Sequence, residues 1–188
     1  SLVGSEMCIR DRQYLKDEQA GRFDAMNRLV EWLPQNIPPG DETTIVHGDF
    51  RCDNMIFDKA EPKVLAVLDW ELSTLGHPLA DFSYHLMMYR IPPVGTTGLV
   101  GEDLGALNIP SEDAYVEAYC RRVGRENGIP HLDFYIAYNL FRLAAIVHGI
   151  QGRVVRGTAA SKHAKAMGAM IEPLANMAWL QAEKSGNT

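Results

Sequence analysis

Apolar residues recur at helical spacing between Glu18 and Leu33, where Phe23, Met26, Val30 and Leu33 share one face. Pro34, Pro38 and Pro39 predict an end to that helix and an irregular lead into a short strand, Thr44-Ile45-Val46. The period then shortens. Two apolar runs, Met55-Ile56-Phe57-Asp58 and Lys63-Val64-Leu65-Ala66-Val67-Leu68, flank the polar segment Lys59-Ala60-Glu61-Pro62, which predicts a β-hairpin. Beyond Pro78 the pattern predicts a helix carrying Asp81 to Tyr89, stopped at Ile91-Pro92-Pro93, then an irregular Gly-rich segment from Val94 to Pro110. Ser111 caps the next helix, with Glu112 and Asp113 in its first turn and Arg121, Arg122 and Gly124 at its end. From Asp133 to Gly149 the residues are apolar nearly all round, as in a helix buried at the centre of a domain. A last helix is expected from about Thr158, kinked at Pro173. The fold class is therefore α+β and mostly helical, around one small hairpin.

That hairpin joins the chain's candidate chemistry. His47-Gly48-Asp49-Phe50-Arg51-Cys52-Asp53-Asn54 precedes it, and Val67-Leu68-Asp69-Trp70-Glu71 follows its second strand. An Asp five residues before an Asn, with a second Asp beyond a hairpin, is the spacing of a kinase-like catalytic loop. On one tight loop Asp49 can face an attacking hydroxyl while Asn54 faces a magnesium ion, and the hairpin returns Asp69 beside Asn54. Two oxygen ligands, completed by waters and phosphate oxygens, suit magnesium better than zinc.

These residues resemble the catalytic and metal-binding segments of the aminoglycoside-phosphotransferase-like family, a branch of the protein-kinase-like fold. The longer string Leu65-Ala66-Val67-Leu68-Asp69-Trp70-Glu71-Leu72-Ser73-Thr74-Leu75-Gly76-His77-Pro78-Leu79-Ala80-Asp81 is similar to the subgroup found alone in bacteria and fused to acyl-CoA dehydrogenases in animals. The resemblance covers roughly residues 13 to 183, by order of motifs and elements. It implies ATP as phosphate donor, Asp49 as catalytic base, Asn54 and Asp69 as magnesium and cofactor ligands, and His47 and Asp81 as supports of the loop. Arg51 stands where many protein kinases place a lysine touching the transferred phosphate, and a solvated arginine is an equal reading. Asp53 reads as a loop-stabilising acceptor, and Glu71 as surface or as a group behind the metal. The resemblance further implies a small-molecule hydroxyl acceptor, a hydroxyacyl-CoA or hydroxy acid, and an acyl-CoA dehydrogenase as partner or fused domain.

A complete kinase also needs a Gly-rich loop, a strand lysine and a helix glutamate, and none precedes His47. The expectation is a carboxy-terminal lobe over residues 13–188 without its amino-terminal lobe, inactive alone. Ser1 to Arg12 reads as a non-native leader.

Composition narrows the classes. With 188 residues, 46% hydrophobic and 22% charged, the chain can bury one core. A net charge of −6 with scattered basic residues argues against nucleic acid. No apolar run reaches membrane-spanning length, so a cytoplasmic site with no membrane partner is expected. Cys8, Cys52 and Cys120 have no paired spacing, and Cys52 reads as loop packing. The dispersed His77, His85, His131, His148 and His163 do not form a metal cluster, although His77 and Asp81 could share a helix face. Met87, Met88, Met167, Met170 and Met177 read as core fillers. Two rival functions are a metallophosphatase, whose further Asp-x-His and Asn-His-Asp segments are absent, and a non-catalytic kinase-like binding module.

Overall fold

A computed structural model describes residues 11, 14–40, 42–93, 98–158 and 167–186. Helix α1, Asp24–Gln35, buries Ala25, Met26, Leu29 and Leu33. It starts later than the periodicity suggests: Glu18–Ala20 is a separate 3-10 turn, and Gly21 at φ 92° breaks the path before extended Phe23. Pro34 does not end the helix but lies within its last turn. Only one further residue follows, so the lost amide bond and ring clash fall where the helix terminates anyway.

Strand β1, Thr44–Val46, follows, and then the hairpin of β2, Met55–Phe57, and β3, Val64–Val67. The hairpin is antiparallel, pairing Met55 with Val67 and Ile56 with Ala66, with an irregularity at Ile56/Phe57. A fourth strand, β4, Thr74–Gly76, pairs antiparallel with β1, setting Ile45 opposite Leu75. The sheets are therefore two separate two-stranded ribbons.

Four helices complete the described chain. Helix α2, Pro78–Leu86, has Pro at its first position and His77 as cap, and a 3-10 turn, Met87–Arg90, extends it. Helix α3, Glu112–Val123, has the expected ends: Ser111 Oγ accepts from the Ala114 amide, and Gly124 closes it in the left-handed region. Helix α4, Leu132–Val155, is longer than predicted at both ends and is the central element, with Phe134, Ile136, Leu140, Phe141 and Ala144 fully buried. Helix α5, Ile171–Ser185, packs along it. The expected start near Thr158 falls against residues 159–166, outside those described. Pro173 sits in the first turn of α5, directly after the 3-10 turn Gly168–Met170, where the α-helical ladder that begins there does not need the amide proline lacks.

The core joins α1, α2, α4 and α5 through Leu29, Leu33, Leu79, Leu86, Phe141, Leu174 and Ala178. Each such side chain contributes about 1.5–3 kcal/mol by leaving water. Polar links cross it too: Asn139 Nδ2 on α4 donates to the Ala80 carbonyl at 3.0 Å and to Ser83 Oγ at 2.7 Å, both on α2. These links fix α2, the helix bearing Asp81, against the centre of the molecule.

Candidate active site

The loop from β1 to β2 carries His47 to Asn54 and is held from behind. Asp81, one turn into α2, accepts the amides of His47 and Gly48, the latter at 2.9 Å. The buried His47 ring accepts the Asp49 amide at Nδ1, 3.2 Å away, and its Nε2 lies 2.7 Å from the Leu68 carbonyl. Both contacts are met by the tautomer with its proton on Nε2, so His47 acts as a strut between the Asp49 loop and the segment leading into Asp69. Gly48 has φ 84°, and a Cβ there would stand 2.5 Å from the Leu72 carbonyl oxygen. Only glycine lets the loop approach the 3-10 turn Trp70–Leu72 this closely.

Asp49 is half-buried, and Asn54 is buried in the 3-10 turn Cys52–Asn54. Asn54 Nδ2 donates to the Asp49 carbonyl at 2.9 Å and to its carboxylate at 3.0 Å. With its nitrogen so committed, the Asn54 side chain offers its oxygen on the other side. Asp69 follows β3 and is exposed, in the left-handed region at φ 59°, ψ 53°. For a non-glycine residue this costs about 1 kcal/mol or more and is commonest where function imposes it. Hydrogen bonds on both flanks hold it there: the Leu68 amide donates to the Asn54 carbonyl at 2.8 Å, and Trp70 Nε1 to the Val67 carbonyl at 2.9 Å. The Trp70 ring packs 4.8 Å from that of His47. The hairpin thus brings Asp69 alongside Asn54.

The remaining sequence candidates are placed differently. Exposed Arg51 pairs with Asp53. Burial opposes the Arg51 charge, but the hydrogen bond and charge of Asp53, with smaller contributions from Tyr84 and Asp49, leave its pKa above the ordinary value. Glu71 is exposed. His77 and Asp81 diverge: His77 stacks on Tyr135 at 5.0 Å, while Asp81 turns to the loop. Among the described residues no three His, Cys, Asp or Glu side chains gather as a metal site. The oxygen donors of Asn54 and Asp69 would suit a hard cation that keeps most of its waters.

A cavity of about 460 Å³ opens beside Phe50, Arg51, Cys52 and Asp53. Its far wall comes from Tyr84, His85, Met88 and Tyr89, from Gly98 and Leu99 of the Gly-rich segment, and from Tyr115. Met88 is therefore a wall residue, whereas Met87 is core as expected. Tyr115 Oη lies 3.2 Å from His85 Nδ1, and burial lowers the His85 pKa, keeping that wall uncharged at neutral pH.

A model of the phosphotransferase enzyme family matches residues 8–135. The chain belongs to that family. A Ralstonia eutropha protein provisionally described as an aminoglycoside phosphotransferase superposes with a TM-score of 0.90 at 45% identity, covering 98% of this phosphotransferase chain and 56% of that one. Mouse acyl-CoA dehydrogenase family member 10 is 42% identical over 93% of the chain, and chicken family member 11 is 43% identical over 80%. The chain spans only 16% and 20% of those two proteins.

Around the candidate site lie two further residues that motif reading passed over. Tyr84 lies three positions after Asp81 on α2, hence on the same helix face, and Arg142 is a single charge in an otherwise apolar stretch of α4. Both signals were present in the sequence. Neither says what the side chain touches.

Proposed function

We propose that the protein carrying this chain transfers the terminal phosphoryl group of ATP to a hydroxyl of a small molecule. Asp49 orients the acceptor hydroxyl and takes its proton, while Asn54 and Asp69 hold magnesium. When bound, the ion would neutralise charge developing on the phosphates. The observation that carries this reading is the Asn54–Asp49 hydrogen bond at 3.0 Å, which holds base and metal ligand in one frame on the loop whose intervening residues, Phe50 to Asp53, line a cavity.

The cavity lining supports an acceptor with an apolar body, a hydroxy acid or hydroxyacyl-CoA in preference to a polycationic sugar. Phe50, Met88, Tyr89, Leu99 and Tyr115 suit an acyl chain, and the one carboxylate among the described lining residues, Asp53, is already paired with Arg51. Arg51, paired with Asp53 in the same wall, would meet a carboxylate or phosphate of the incoming molecule. The names of the mouse and chicken relatives support an acyl-CoA dehydrogenase as fused domain or partner.

The chain is read as the carboxy-terminal lobe of the enzyme. Ile45 and Leu75, paired across β1 and β4, with Leu65 on β3 and Leu72 in the 3-10 turn before β4, are each more than half exposed, which supports this, because a monomeric domain seldom leaves such apolar surface uncovered. The phosphate-covering loop would lie in the remainder of the protein, and this chain alone would not turn over.

Asp49→Asn in the full-length protein tests the reading. Turnover should fall by about 10³-fold or more, with ATP affinity within about twofold of wild type, because an amide keeps the shape and loses the base. Turnover at the wild-type rate would sink the assignment.

A further inference from the structure

Behind the Asp49 loop lie two buried side chains, Tyr84 and Arg142, with no role in the proton and metal chemistry above. Arg142, in the middle of α4, is 9% exposed, and among the described residues no carboxylate forms an ion pair with it. A buried cation without a counter-ion is costly, so what it touches indicates its role. Its Nη2 donates to the Gly48 carbonyl, 94 positions away in sequence. Its guanidinium carbon lies 5.1 Å from the centre of the Tyr84 ring.

The Gly48 peptide groups are therefore gripped from two helices. Asp81 on α2 takes the Gly48 amide, and Arg142 on α4 supplies a donor to the Gly48 carbonyl. That carbonyl belongs to the peptide plane leading into Asp49, so its direction sets where the Asp49 side chain departs. Tyr84, 6% exposed, carries this grip forward: one face of its ring receives the Arg142 cation, and the residue also lines the cavity beside Phe50 and Arg51. Burial, foremost, raises the Tyr84 pKa, and the neighbouring Asp49 charge adds to it. The Tyr84 ring thus stays uncharged between the Arg142 guanidinium and the cavity beside Phe50 and Arg51.

We propose that Arg142 and Tyr84 are positioning residues for phosphoryl transfer. Arg142 fixes the Gly48–Asp49 peptide plane, and Tyr84, braced by the guanidinium, holds the Asp49 carboxylate toward the acceptor cavity. The inference rests on Asp49 being the base, and it adds a second support behind that base, independent of His47.

The test uses the full-length protein and steady-state phosphotransfer to a hydroxy acid, followed by ADP release. Tyr84→Phe keeps the ring under Arg142 and removes only the hydroxyl. It should lower kcat about 10-fold, with KM for ATP within about twofold and an unchanged melting midpoint, since misplacing a reacting group slows chemistry without weakening nucleotide binding. Arg142→Met, which fills similar volume without charge, should lower kcat by about 10- to 100-fold while the protein remains folded. Acting through the same carboxylate, the two changes together should cost less than the product of the separate losses. Wild-type kcat in Tyr84→Phe overturns the inference. So does a loss in Arg142→Met that tracks the melting midpoint as it does in a core control, Leu140→Ala. Should Arg142→Met fail to fold, Tyr84→Phe alone decides. No turnover by the wild-type protein would overturn the phosphotransfer reading itself, and the inference with it.

Discussion

Gly48 shows how tightly a single position constrains this site. Its φ of 84° is a conformation that side chains rarely adopt, and a Cβ would come within 2.5 Å of the Leu72 carbonyl oxygen, a backbone atom that cannot swing aside. The same residue gives its amide to Asp81 and receives Arg142 on its carbonyl. Gly48→Ala should therefore act twice, through strain and through displacement of Asp49. The expected stability loss is about 1–3 kcal/mol, read as a shift in the urea midpoint, with a turnover loss larger than stability alone explains. A variant as stable and active as wild type would show that the loop relaxes freely. Asp69 carries the same kind of constraint without glycine's freedom, and its left-handed backbone is maintained by the hydrogen bonds on either side.

Among the elements, α2 does the most to connect packing with chemistry. Pro78 and the His77 cap start it, Leu79 and Leu86 bury it, and Asp81 and Tyr84 leave it toward the loop. Its height against α4 depends on Asn139, whose amide nitrogen binds Ala80 and Ser83 together. Asn139→Ala removes the donor and leaves two acceptors buried, a cost of about 1–3 kcal/mol. Because Asp81 moves with α2, kcat should fall together with the melting midpoint. Loss of stability with full activity would show that the Asp81 contacts hold the helix without help. The two proline positions carry a related lesson. Pro34 and Pro173 both look like breaks in a pattern, yet each sits in a terminal turn, where a missing amide or a shortened ladder costs little.

For the whole molecule, the contrast is between a closed helical side and an open β side. Helices α1, α2, α4 and α5 enclose a dry core, whereas Ile45 and Leu75, paired across β1 and β4, are 69% and 57% exposed. The chain on its own should self-associate through this strip, and Ile45→Lys combined with Leu75→Lys should restore a monomer in sedimentation velocity. A clean monomer before mutation would count against the strip as a covered surface. Much of this architecture was written locally. The Asp49 to Asn54 spacing, the hairpin, the Ser111 and Gly124 ends of α3 and the apolar run of α4 all depend on neighbours within one turn or one hairpin, so the sequence alone determined them, and with them the family. What joins distant segments was not legible: β4 lies 30 residues after its partner, three residues being too short to carry a period of their own. The resemblance implied Asp81 as a support of the loop, but which loop amides it meets, the wall of the cavity and the reach of Arg142 to Gly48 needed the packed helices. Their partners lie 33 to 94 positions apart, and only burial in a common core selects one such pairing among many.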